Sequence, residues 1–183
     1  MGSDNALYRK WFDTVTAASL EFDIIGMSYY PFWHGTLDQL VHNMNDVASR
    51  YDKDILIVET AFPFTTEPIK SDVMIFTEEL AGTVPYRVDP ERQREFMLDL
   101  MYAIRSVKNG RGIGFFYWEP TWINLAEARW ATEEGKKYLN KNSVSGNVWA
   151  NLALFDYNGH SLPALQASYV DGKRYGVPIA VET

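Results

Sequence analysis

The chain has 183 residues, 46% of them hydrophobic, which is enough for one domain with a packed core and too apolar for a disordered chain. Its formal net charge of -7 argues against a partner held through a phosphate backbone, so no nucleic acid is expected. No apolar run reaches membrane-spanning length, and the absence of cysteine excludes a disulfide framework and a thiolate metal site.

Met1-Gly2-Ser3 lacks the cationic and apolar regions of a signal peptide. Ser3 or Asp4 caps a predicted helix to about Ser19, with Leu7, Trp11, Phe12, Val15 and Ala18 on one face. Phe22 to Tyr30 reads as a strand stopped by Pro31. Gly35-Thr36 then opens a second helix, with Leu37, Leu40, Met44 and Val47 at helical spacing, ending near Tyr51. Asp54-Ile55-Leu56-Ile57-Val58-Glu59-Thr60 follows as a strand. Being apolar at successive positions, it reads as buried on both faces, as in a parallel sheet wrapped by helices. Asp89-Pro90 starts a helix to about Val107, with Phe96, Leu100, Ile104 and Val107 inward, and Asn109-Gly110 ends it. Gly112 to Trp118 is a third strand, and a long polar and aromatic loop covers roughly 123 to 150. Ala153-Leu154-Phe155-Asp156 leads through the turn Tyr157-Asn158-Gly159-His160 to a last helix beginning near Pro163.

Helices alternating with strands imply an α/β fold with a parallel sheet and right-handed crossovers. Three strands leave two open edges, so the pattern reads as part of a larger sheet. No internal domain boundary stands out. Each strand delivers polar or aromatic residues at its C-terminal end, where parallel α/β folds place their chemistry. Glu59 is the sharpest of these, a carboxylate that closes an apolar run. The plain alternative is a strand-end acid paired with a lysine or arginine.

Three stretches together resemble the endo-β-1,4-galactanases, family 53 of the glycoside hydrolases. Phe22-Asp23-Ile24-Ile25-Gly26-Met27-Ser28-Tyr29-Tyr30-Pro31-Phe32-Trp33-His34-Gly35 is similar to that family's sixth-strand segment. Val58-Glu59-Thr60 resembles the end of its seventh strand, and Gly114-Phe115-Phe116-Tyr117-Trp118-Glu119-Pro120-Thr121-Trp122-Ile123 its eighth. The opening Asp4 to Asp13 and the closing Ala153 to Asp156, Gly159 and Leu162-Pro163 also match.

The resemblance implies a fold class: residues 1–183 form the C-terminal part of a (β/α)8 TIM-barrel catalytic domain, strands six to eight with flanking helices, a barrel not closed by this chain alone. It implies an enzyme that cleaves β-1,4-galactan, the side chain of pectic arabinogalactan, with retention of configuration. Retention takes two carboxyl groups about 5–5.5 Å apart, one nucleophile and one acid/base. The resemblance places the nucleophile at Glu59. The acid/base belongs to an Asn-Glu pair at the end of the fourth strand, which is not in this sequence. Activity of this chain alone on polysaccharide is therefore expected to be little or none.

Tyr29 or Tyr30 is implied as the phenol that hydrogen-bonds Glu59; strand alternation allows only one to point inward. Trp118 corresponds to the tryptophan that floors the sugar subsite at the cleavage point. Trp33 and His34 are expected to line the cleft, and Glu119 to contact substrate or hold its loop. No cofactor is implied. The loop Thr65 to Asp72 lacks the alternating oxygen ligands of a calcium site, so no metal is expected. The partner is then a polysaccharide, and the parent enzyme is expected to be secreted. Two rivals stay open. One is a retaining barrel glycosidase for another β-linked polymer; the other is a carbohydrate-binding half barrel without chemistry.

Overall fold

A computed structural model describes residues 1–69, 74–123, 132–138 and 148–167. The expected order is found: α1 (Asn5–Ala17), β1 (Ile24–Ser28), α2 (Leu37–Tyr51), β2 (Asp54–Thr60), α3 (Glu78–Ala81), α4 (Pro90–Arg105), β3 (Gly112–Tyr117) and α5 (Glu133–Tyr138). The strands form a three-stranded sheet in the order β1-β2-β3, and both pairings are parallel. The short α3 and α5 lie in stretches that carried no helical signal in the sequence. Pro163–Gln166 opens as a 3₁₀ turn, and the rest of the expected last helix lies outside the described residues, as does most of the loop from 123 to 150.

The chain divides into two compact units, one of Met1–Phe62 with Phe96–Trp118, the other of Pro63–Glu95 with Glu119–Thr183. The first unit holds the sheet. One face of that sheet is packed, with Ile25, Met27, Ile55 and Ile57 buried, alongside Leu40, Met44 and Val47 from α2 and Phe96, Leu100 and Ile104 from α4. α2 begins at a reciprocal cap: the Gln39 amide donates to the Thr36 hydroxyl at 3.2 Å, and the Thr36 amide donates to Gln39 Oε1 at 2.9 Å. Asp52 at left-handed φ, 55°, closes the helix and turns the chain into β2.

Two sequence expectations differ from what is found. The strands are not buried on both faces: Ile24, Val58 and Phe116, on the face opposite Ile25 and Ile57, are exposed. An apolar run shows that both faces can be buried, and only the covering elements decide whether they are. Likewise α1 buries no residue, and its Leu7 and Trp11 point outward. α1 is held to α2 at the edge of that face, where Phe12 lies 5.7 Å from Tyr51, and by its charged residues: Arg9 pairs with Asp46, and Arg50 Nε lies 2.9 Å from Asp13 Oδ1.

The second unit is knitted by backbone contacts around a small apolar cluster of Ile69, Met74 and Ala150, against which Trp122 and Tyr157 pack. Asn151 Nδ2 donates to the carbonyls of Thr65 and Phe76 at 3.1 and 2.9 Å, and Gln93 Nε2 donates to Ala153 at 2.9 Å. The turn expected at Tyr157 to His160 is present: Asp156 Oδ1 accepts from the amides of Asn158 and His160, both at 2.8 Å, and Gly159 supplies the positive φ of 83° that the turn requires.

Candidate active site at the strand ends

Strict alternation along β2 would send Glu59 to the same face as Ile55 and Ile57, away from the open face. The register shows why it does not. Met27 pairs with Ile57 but Ser28 pairs with Glu59, and on the other side Phe115 pairs with Ile57 but Tyr117 with Thr60. β2 therefore holds one residue more than both neighbours between Ile57 and Thr60. This is a bulge, a device that re-aims side chains. It brings Glu59 into register with Ser28, on the face that carries Gly26 and Val58. Gly26 leaves the room: a β-carbon there would stand 2.9 Å from Val58 Cγ1.

Re-aimed, the Glu59 carboxylate accepts a hydrogen bond from the Tyr30 phenol at 2.6 Å from Oε1, the short length of a charge-assisted bond. The Glu59 carbonyl accepts from the Tyr29 amide at 2.8 Å, tying the two strand ends together. The choice between the tyrosines is thus made. Tyr30 faces Glu59. Tyr29 continues the Ile25 and Met27 face, is fully buried, stacks near Phe96 at 6.5 Å, and donates its hydroxyl to the Gly35 carbonyl at 2.9 Å. Burial pushes its phenol well above the ordinary tyrosine value. The Tyr29 ring meets protein on every side, and it is the equally enclosed Tyr30, 2% exposed, whose hydroxyl meets Glu59.

Around Tyr30 the aromatic residues expected to line a cleft are gathered. Trp33 meets it edge-on at 5.4 Å and Phe32 at 4.7 Å, and Trp33 remains 45% exposed. The His34 ring lies 5.8 Å from Tyr30, and its Nδ1 accepts the Tyr30 backbone amide at 3.1 Å. Burial holds the His34 imidazole below its ordinary value, and the N-terminal ammonium adds to this; the Ser28 carbonyl and Glu59 pull the other way. Trp118 follows β3, donates its amide to the Thr60 carbonyl at 2.7 Å, and is 40% exposed.

Glu119 begins the second unit. It sits at left-handed φ, 51°, its carbonyl accepts the Trp122 amide at 3.2 Å, and burial pushes its carboxyl upward. Tyr117 had not stood out in the sequence, where it looks like any strand-end aromatic. Its hydroxyl donates to the Phe62 carbonyl at 3.0 Å and accepts the Phe62 amide at 3.1 Å, fixing the chain three residues beyond Glu59. Among the described residues no group of three or more His, Asp or Glu side chains is arranged to hold a metal ion; residues 70–72 of the loop 65–72 lie outside them.

Candidate side chains gathered at the C-terminal ends of parallel strands joined by helices place the chain in the parallel α/β class, to which the (β/α) barrels belong. Comparison with known proteins narrows the class. The model of glycosyl hydrolase family 53 matches residues 1–168. An uncharacterized protein of Niallia circulans is 42% identical over 166 residues, 91% of this chain and 42% of that protein. An endo-beta-1,4-galactanase of Bacillus subtilis is 32% identical over 173 residues, 84% of this chain and 40% of the enzyme. Among solved structures, the family 53 catalytic domain of Ignisphaera aggregans superimposes with a TM-score of 0.79 at 33% identity, over 90% of this chain and 43% of that one. The chain belongs to glycosyl hydrolase family 53. Its sheet is part of a (β/α)8 barrel that these strands do not close, and it spans about two fifths of the length of the curated relatives it matches.

Proposed function

We propose that this chain is part of the catalytic domain of a retaining endo-β-1,4-galactanase, with Glu59 as its nucleophile. The observation that carries the reading is the Tyr30 phenol on Glu59 Oε1 at 2.6 Å. It holds one carboxylate oxygen and leaves Oε2 to attack. In the first displacement Oε2 bonds to the anomeric carbon while the glycosidic bond breaks and its electron pair leaves with the departing oxygen. A second carboxyl protonates that oxygen. Water then cleaves the glycosyl ester, and the configuration is retained. The half-exposed indoles of Trp33 and Trp118 offer the flat apolar faces on which sugar rings stack. The displacement uses side chains alone, without cofactor. A polymeric substrate of plant cell walls calls for a secreted enzyme.

The test is covalent capture. The chain is incubated with a 2-deoxy-2-fluoro-galactobioside whose leaving group departs unprotonated, which removes the need for the acid/base. An adduct on Glu59, seen by intact mass and peptide mapping and absent in Glu59→Gln, is the expected result. Galactan binding without an adduct, in a chain with a cooperative thermal melt, would replace this reading with that of a carbohydrate-binding module. Labelling by mannan- or xylan-type probes in preference to the galactose probe would move the substrate to another β-linked polymer.

A further inference from the structure

The turn after β1 is built around Tyr30. Its carbonyl accepts the amides of Trp33 and His34 at 3.0 and 2.8 Å, and its own amide donates to His34 Nδ1 at 3.1 Å. Both polar groups of the Tyr30 backbone are thus taken up by the four residues that follow. The far end of the turn is fixed at Gly35, whose carbonyl holds the Tyr29 hydroxyl at 2.9 Å and whose φ of 81° only glycine adopts freely. From this closed turn the Tyr30 phenol reaches Glu59 Oε1 at 2.6 Å.

A backbone amide is always a donor, so the nitrogen it meets must be an acceptor. Imidazole accepts at Nδ1 only when it is neutral and its proton is on Nε2; imidazolium donates from both nitrogens. We infer that His34 is a positioning residue for Glu59: as a neutral ring it accepts the Tyr30 amide and fixes the turn that aims the Tyr30 phenol, and its protonation releases that turn. The inference rests on the nucleophile reading of Glu59 for its catalytic meaning, while the His34 contact to Tyr30 stands independently of it. The ionisable groups that bear on the ring are Glu59 at the end of β2, which favours protonation, and the N-terminal ammonium, which opposes it; the Tyr30 phenol lies alongside. Burial favours the neutral form further.

Nuclear magnetic resonance of the ¹⁵N-labelled 183-residue chain tests this. The His34 ring is expected as the Nε2–H tautomer at neutral pH. The Tyr30 amide resonance is expected to move in one step with the same midpoint as the ring, below 6.5. In His34→Asn the amide oxygen replaces Nδ1 as acceptor but does not titrate, so the step disappears and hydrogen-exchange protection of Tyr30 persists. In His34→Ala protection falls about tenfold, as for the loss of one ordinary hydrogen bond. The rate of Glu59 labelling, scaled to each protein's own plateau, loses the step at the His34 midpoint in His34→Asn, while the fall caused by protonation of the nucleophile itself remains. An Nδ1–H tautomer, a Tyr30 amide without a step at the ring's midpoint, or His34→Asn behaving as His34→Ala would overturn the inference. If His34→Ala does not fold, the tautomer, the wild-type titration and His34→Asn decide. Absence of labelling in the unsubstituted chain would count against the nucleophile reading, and the amide titration would still decide the role of His34.

Discussion

At the scale of single residues, the Tyr30–Glu59 bond is the contact with most to lose. A hydrogen bond to a charged group contributes about 1.5–3 kcal/mol, so Tyr30→Phe is expected to slow covalent labelling of Glu59 by roughly 10–100-fold in the folded fraction. Time-resolved intact mass measures it; a rate within about twofold of the unsubstituted chain would show that the phenol does not orient the attacking carboxylate. Tyr29→Phe is expected to act in the opposite way. It removes the buried bond to Gly35 and lowers stability by about 1–3 kcal/mol, while labelling of the folded fraction is kept. The pair also marks how far the sequence could be read. Alternation showed that one tyrosine faces the site. It could not say which, because Ile24 and Ile25 are both apolar and β1 carries no polar face to set the phase. Glu59 was legible as a strand-end carboxylate. That it faces Tyr30 was not, because the bulge that turns it contains no glycine or other residue to announce an extra position.

At the scale of elements, the bulge in β2 depends on Gly26 in β1. A methyl group at Gly26 would press on Val58, whose β-branched side chain has few rotamers with which to yield. Gly26→Ala is expected to destabilise the chain by about 1–3 kcal/mol, and Val58→Ala in the same chain to recover most of it. Urea unfolding of the two single variants and the double variant checks this; additive losses would mean that the two positions do not meet. α1 poses the opposite case, a helix whose attachment is largely ionic. The Asp46 carboxyl, hydrogen-bonded by Arg9, is pulled from 3.8 to about 2. Asp13 is lowered as well by its bond to Arg50. A depressed folded value contributes stability in full above the unfolded value and loses it as pH falls through the folded one. The docking of α1 is therefore expected to weaken from about pH 4 downward and to be lost near pH 2, ahead of α2, whose Leu40, Met44 and Val47 are buried. Hydrogen exchange of the two helices against pH measures the order; simultaneous loss would show that α1 is held by apolar contact instead. Helical spacing placed α1 and its apolar stripe correctly, but spacing says only which residues share a face. Which residues of that face find a partner depends on what else is present: Phe12 meets Phe22 and Tyr51, Leu7 and Trp11 stay exposed, and Arg9 and Asp13 pair with α2.

At the scale of the whole molecule, the same limit explains what the open sheet face will do. Parallel sheets in folded proteins are covered on both faces, and in a closed (β/α)8 barrel the inward side chains fill the interior as a packed core. The three strands here carry side chains suited to that interior, yet Val58 is 41% and Phe116 62% exposed, and no fourth strand pairs with either edge among the described residues. Near the β1 edge a cavity of about 400 Å³, lined by Met1, Leu7, Tyr8, Trp11, Phe12 and Gly26, adds a second apolar surface. Exposed parallel strands with apolar faces are templates for association. The 183-residue chain is therefore expected to bind a hydrophobic dye and to gain mass with concentration in the micromolar range, as read by sedimentation velocity. Replacing Val58 and Phe116 by threonine retains β-propensity while making the face polar, so it should reduce both dye binding and association without lowering the unfolding midpoint. Changes at Trp11 alone should affect only the second surface. A chain that stays monomeric and leaves the dye dark at every concentration would mean that the face is covered in solution. The barrel would then be more complete than the described strands make it, and the second carboxyl of the proposed displacement would be sought within the same 183 residues.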